Sequence, residues 1–291
     1  MKKNIFKAVI FVSLMVVLAA CGGKAAPAAS GTPAASGVKV DGCPGKTDKT
    51  IVDLKCRKVT VAVENVYLPF NYVLASTGKA EGWDYDAWKE ICNRLNCVPV
   101  MTEAAWDGLI QGVASKQFDI GADGITITTD RAKQVDFSKG YLAIQQRLLV
   151  RKGETRFTNL ESFAADPKFI LGTQANTTNY ETAKKSLPES RIKAFEQFPF
   201  AVQALINGDV DAVIIDQVAG MGYMGENGDK IDFLGPVISG DELGFVFTKG
   251  SDLVEPVNKA IDAMKADGSL DALNKKYFGP DFKVSSTDIK N

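Results

Sequence analysis

The sequence predicts an α/β protein of two lobes, each a mostly parallel sheet flanked by helices, with the chain crossing between them twice. Three observations lead there. At 291 residues the chain is longer than one typical core requires. From Lys58 onward, short strand-like runs alternate with amphipathic helical runs, the pattern of parallel sheets covered on both faces. The alternation comes in two blocks, joined by extended segments near Gln145 and near Leu243. Residues 52–145 with 244–291 are therefore expected to form lobe 1, and 146–243 lobe 2.

Residues 1–20 read as a signal segment. Lys2, Lys3 and Lys7 precede an apolar run, Ile10 to Ala20, that is too short to span a bilayer comfortably. It ends Leu18-Ala19-Ala20-Cys21, which resembles the bacterial lipobox and implies that Cys21 becomes the lipidated first residue. Gly22 to Gly37 is rich in Ala, Pro, Gly and Ser and cannot build a core, so 21–51 is expected to be a lipidated N-terminus and flexible tether. Export permits disulfides. Cys43, Cys56, Cys92 and Cys97 allow three pairings, with sequence proximity favouring Cys43–Cys56 and Cys92–Cys97. Zinc is the alternative, but these are not paired Cys-x-x-Cys spacings.

Lys58 to Glu64 alternates in polarity and turns at Asn65, a first strand. Gly82-Trp-Asp-Tyr-Asp opens a helix whose apolar face is Trp88, Ile91, Cys92 and Leu95. Cys97 stands just past its end, in reach of Cys92 if the chain turns back. Val98 to Met101 is a strand, and Trp106 begins a helix through Leu109, Ile110 and Val113. Phe118 to Ala122 is a buried strand that breaks at Gly124, and a helix is expected to restart after Thr128, ending at Asp136-Phe-Ser. Gln145 to Arg151 leaves the first lobe. In the second block Lys168 to Thr173, Arg191 to Glu196 and Asp209 to Asp216 are strands; Asn176 to Lys184 and Phe200 to Asn207 are helices. Glu242 to Thr248 returns, and helices Val254 to Met264 and Leu270 to Tyr277 close the chain.

Composition removes whole classes of function. Lys+Arg 34 balances Asp+Glu 35, and no basic stripe suggests nucleic acid. There is no histidine, so the commonest general base, the commonest zinc ligand and every Ser-His or Cys-His nucleophile arrangement are excluded. No metal and no cofactor are implied.

What remains is a set of polar strand ends. In open parallel sheets ligands sit beyond the carboxyl ends of the strands. Glu64, Asp123 to Thr126, Gln174 to Thr178 and Asp216 stand there, from both lobes. Arg131 adds a cation in the first turn of an expected helix, an unfavourable place unless an anion binds. Otherwise it would snorkel to solvent or pair with Asp130 or Asp136.

Gly82-Trp-Asp-Tyr-Asp, Trp106-Asp-Gly-Leu-Ile, Gly124-Ile-Thr-Ile-Thr with Arg131, Val135-Asp-Phe-Ser, Asn176-Thr-Thr and Asp211-Ala-Val-Ile-Ile-Asp216 together resemble the extracellular solute-binding proteins for polar amino acids. These are the receptors of bacterial ABC importers, and the resemblance spans Arg57 to Gly279. It is nearest to the lysine/arginine/ornithine/histidine and glutamine binders, and it implies the two-lobed periplasmic-binding-protein fold. By the resemblance, Arg131 clamps the ligand α-carboxylate, helped by Thr126, the Gly124 amide, Thr177 and Thr178. Asp216 receives the α-ammonium, Tyr67 and Trp106 flank the side chain, and Glu64 and Gln174 contact its far end. Cys92 and Cys97 resemble a helix-end disulfide of the basic amino-acid binders. Three positions depart from the pattern. Asn176 stands where glycine is usual, Trp83 and Tyr85 are heavier than the usual aliphatics, and Asp123 replaces a small residue.

Asp123 decides the expected ligand. With Glu64 it gives two carboxylates that an uncharged side chain would leave unpaired, so arginine or lysine is favoured, with histidine and ornithine next. If Asp123 instead turns away to bond lobe backbone, a glutamine binder results. The resemblance implies no enzyme, although the same fold hosts cyclohexadienyl (prephenate or arogenate) dehydratases. The partners implied are a free amino acid, a membrane permease and the membrane itself through the lipid. The chain is expected to be a monomer outside the cytoplasm, periplasmic or at the cell surface.

Overall fold

Two five-stranded sheets carry the fold in the computed structural model, which describes residues 42–45, 48 and 51–290. The signal segment, Cys21 and the Ala/Pro/Gly/Ser-rich stretch lie outside the described residues. The chain enters with β1 (Arg57–Val63), where Val59, Val61 and Val63 are buried. Three very short strands follow, β2 (Val66–Tyr67), β3 (Asn71–Val73) and β4 (Ala80–Glu81), which pair antiparallel in a small sheet. Runs this brief show no period, and the sequence gives no sign of them. Helix α1 (Trp83–Leu95) buries its expected face together with Trp83 and Ala87. Asn96 then adopts a left-handed conformation (φ 53°) and its N–H bonds Cys92 O, reversing the chain into β5 (Cys97–Glu103). That reversal lets Cys92 and Cys97 bridge, with Cα atoms 4.5 Å apart; Cys43 pairs with Cys56.

Helix α2 (Trp106–Ala114) leads to β6 (Ile120–Gly121), shorter than the expected strand. The helix expected after Thr128 does not form. One 3-10 turn, Arg131–Lys133, gives way to strand β7 (Val135–Phe137). Thr128 does accept from the Arg131 N–H (3.2 Å), but so short a turn offsets little of its nucleation cost, and Val135 and Phe137 offer a sheet period instead. Strand β8 (Leu142–Arg151) crosses to lobe 2. There α3 (Leu160–Ala165), held by a capping box between Asn159 and Ser162, was not expected. Then come β9 (Leu171–Gln174), α4 (Thr178–Ser186), β10 (Ile192–Phe195), α5 (Phe198–Asn207) closed by left-handed Gly208, and β11 (Ala212–Asp216).

Helix α6 (Gln217–Asn227) also escapes sequence patterning, because three of its positions are glycine and glycine disfavours helix. Packing overrides propensity: a Cβ at Gly220 would meet the Phe233 ring at 2.6 Å, so only glycine lets α6 lie this close. Strand β12 (Ile231–Leu243) begins well before the expected Glu242, and β13 (Val246–Thr248) follows a break at Gly244. Helices α7 (Val254–Ala266) and α8 (Ser269–Phe278) return to pack on α1.

The sheet orders are β5-β1-β6-β13-β7 and β10-β9-β11-β8-β12. In each, one strand (β13 or β8) opposes four that run together. β8 and β12 pair from Leu142↔Leu243 to Arg151↔Ile231, making a two-stranded connection between the sheets.

Candidate functional site

The carboxyl ends of β1, β6, β9 and β11 open on one narrow cavity of about 20 Å³. Glu64 follows β1, Asp123 and Gly124 follow β6, Gln174 ends β9 and Asp216 ends β11. These five line the cavity with Tyr67, Trp106, Thr126, Arg131, Thr177 and Thr178, so every contact residue named from the sequence is brought there. Asn179 and Phe198 also line it and were missed. Phe198 reads as a core aromatic at a helix start, and Asn179 as an ordinary helical polar residue; neither carries a local signal.

Arg131 reaches the cavity from its short turn. Its Nη1 donates to Thr126 O (3.0 Å), and the guanidinium lies 5.3 Å from the Trp106 ring centroid. Asp130 is taken by Lys133 (2.6 Å) and Asp136 by Lys249 (2.8 Å), so neither neutralises it. Among the described residues Arg131 makes no ion pair. Burial depresses its pKa to about 10 against the opposing pull of Asp216 and Asp241.

Asp216 sits at the N-cap position of α6 yet makes no cap hydrogen bond. Its oxygens accept instead from Tyr67 Oη (2.9 Å) and Asn179 Nδ2 (3.2 Å). Burial pushes its pKa up to about 6. The side chain is thus held toward the cavity by one group from each lobe.

The hydroxyl groups divide their work. Thr177 Oγ1 caps α4, accepting from Tyr180 N–H (3.1 Å) and donating to Gln174 O (2.8 Å). Thr178 Oγ1 lies 3.3 Å from Thr126 Oγ1 across the cleft and accepts from Gln146 Nε2 (3.1 Å). Asn176 takes φ 59°, the left-handed conformation in which asparagine best replaces glycine, and its amide donates to Asp107 (2.8 Å). Gly124 also has positive φ (56°), and a Cβ there would meet the Tyr67 ring at 2.9 Å.

Tyr67 stacks with Phe70 (centroids 5.2 Å) and Phe198 (5.5 Å). Trp106 Nε1 donates across the cleft to Ala175 O (3.2 Å). Elsewhere in the lining, Gln174 Nε2 donates to both Glu64 oxygens (3.0 and 3.3 Å), and Asp123 Oδ1 accepts from Asn71 Nδ2 (2.6 Å) and the Glu64 N–H (3.3 Å). Glu64 is pushed up to about 9 by burial and then by the Asp123 charge, and Asp123 to about 6 by burial. Two carboxylates side by side in a dry pocket cannot both ionise cheaply without a cation.

Two lobes joined by paired crossing strands, with a polar cavity between them, are the architecture of an amino-acid solute-binding protein. Residues 59–280 match the bacterial extracellular solute-binding proteins, family 3, and the chain belongs to that family. It is 31% identical over 225 residues to the L-cystine-binding protein TcyA of Bacillus subtilis, covering 77% of this chain and 82% of TcyA. To TcyJ of Escherichia coli it is 29% identical over 223 residues, covering 76% and 82%. An ancestral arginine-binding protein, solved bound to arginine and to glutamine, superposes with TM-score 0.71 at 32% identity, covering 76% of this chain and 98% of that one. No helix among the described residues is long and apolar enough to cross a membrane.

Proposed function

We propose that this protein is an extracytoplasmic receptor, anchored by lipid on Cys21, that closes its lobes on a basic L-amino acid of the arginine/lysine class and delivers it to an ABC importer. One observation carries the choice of ligand. Glu64 and Asp123 lie together in the cavity, and among the described residues Arg131 is the only cation lining it. An α-carboxylate on Arg131 and an α-ammonium on Asp216 leave that carboxylate pair unmatched, and a cationic side chain matches it. Tyr67, Trp106 and Phe198 supply apolar and π surface for its stem. Empty lobes sample open forms, and a ligand bridging Arg131 and Asp216 selects the closed one.

A glutamine-type ligand is the second reading. It is favoured by Gln174, which occupies both Glu64 oxygens, and by the bonds from Asp123 Oδ1 to its own lobe. Calorimetry with arginine, lysine, ornithine, histidine, glutamine and cystine separates the two. Tight binding of arginine or lysine is expected; binding of glutamine or cystine with none of the basic amino acids refutes the cationic ligand.

A further inference from the structure

Behind the cavity wall lies a group of side chains that the ligand contacts above do not use. Asn71, fully buried at the start of β3, makes three hydrogen bonds through its amide. Its Oδ1 accepts from the Asn65 N–H (2.6 Å), and its Nδ2 donates to Asp123 Oδ1 (2.6 Å) and to Asp84 Oδ2 (2.9 Å). Turning that amide over would lose all three bonds. Asp84, in the first turn of α1, is also fully buried, and its Oδ1 has no partner. Burial raises its pKa well above the carboxylate range. The approach is close because Gly82 lets α1 abut the preceding loop. A Cβ on Gly82 would fall 2.2 Å from Phe70 O, the atom that receives the Asp84 N–H.

We propose that Asn71, held by Asp84, is the positioning residue that makes this receptor discriminate cationic from neutral side chains. The inference rests on the ligand class proposed above. Asn71 ties Asp123 Oδ1 to the wall, and the Glu64 N–H bonds the same oxygen, so Oδ2 is the oxygen left for a guest. Without the amide, Asp123 rotates or keeps a proton, and the far end of the cavity loses the anion a guanidinium or ammonium pairs with. A neutral side chain does not depend on that anion. Asp84 acts one step further back, as the acceptor that fixes the amide's orientation. A buried acid with one oxygen unpartnered is costly, and among the described residues its carboxylate's one hydrogen bond is to Asn71.

The test is calorimetry of the full chain with arginine and with glutamine, alongside thermal melting to confirm folding. In Asn71→Ala and Asp84→Ala the arginine-to-glutamine affinity ratio is expected to fall about tenfold or more, through weaker arginine binding. Asp84→Asn keeps an oxygen for the Asn71 hydrogen and is expected to stay within about threefold of the native ratio. Should an alanine variant not fold, Asn71→Ser, which can serve only one of the two carboxylates, is expected to show a reduced ratio. An unchanged ratio in the folded alanine or serine variants overturns the inference, as does an Asp84→Asn loss equal to that of Asp84→Ala. A native protein that prefers glutamine overturns the ligand class, and the inference with it. A native preference for arginine that Asn71→Ala leaves intact overturns the inference alone.

Discussion

Arg131→Met removes the guanidinium and keeps an apolar stem. In the ligand-free protein the side chain gives one hydrogen bond to a carbonyl and one contact with Trp106, together about 2–4 kcal/mol in favour of the fold. Against that, a pKa lowered from 12.5 to about 10 corresponds to about 3 kcal/mol of unfavourable surroundings for the charge. The two nearly cancel, so the ligand-free variant should melt within about 4 °C of the native protein. Binding is another matter. If the guanidinium is reserved for a ligand carboxylate, its removal leaves that carboxylate buried and unpaired, a loss of about 3–5 kcal/mol or roughly two to four decades in affinity. Differential scanning fluorimetry and isothermal titration calorimetry measure both quantities on one preparation. Ligand affinity within about threefold of native would refute the clamp. So would a collapse of ligand-free stability with unchanged affinity, which would make Arg131 a structural residue.

The remaining predictions are independent of it. Glu64 has a folded pKa of about 9 against an ordinary 4.5. Its native proton is held more tightly than the unfolded one, so its contribution to stability is complete below about pH 4.5 and is lost as pH rises toward 9. The melting temperature of the ligand-free protein should therefore fall across that window, and Glu64→Gln should flatten the fall; an equal fall in the variant would show that other groups cause it. Gly124→Ala forces a Cβ against Tyr67 at positive φ, and should lower stability by about 1–3 kcal/mol and weaken ligand binding, both read by melting and calorimetry. Replacing Cys92 and Cys97 by serine opens a loop with a sequence separation of 5, which should cost about 2 kcal/mol in denaturant unfolding and leave ligand affinity unchanged.

Residues adjacent in the chain made their own structure legible. Helix α1 was readable because Trp88, Ile91, Cys92 and Leu95 repeat at helical spacing and all are buried. The polar strand ends were readable because a buried hydrophobic run that stops at a charged residue marks where a strand meets solvent or ligand. Motif resemblance then named candidate contact residues, and all of them line the cavity. Elements governed by distant partners were not readable. The glycine-rich α6 exists because Phe233 and Leu68 pack against its small residues, and β7 replaced a helix because β13 offered it a ladder.

By itself, then, the sequence determined the two alternating blocks, the family, and which polar groups would converge from them. Tertiary structure alone decided how those groups are used: that Asp216 leaves its helix uncapped to meet Tyr67 and Asn179, and that Asn71 ties Asp123 to a buried Asp84. The reason is that periodicity records only whether a position faces the core. Which donor a buried carboxylate meets depends on the approach of segments far apart in the chain, and in a dry interior that choice sets its charge.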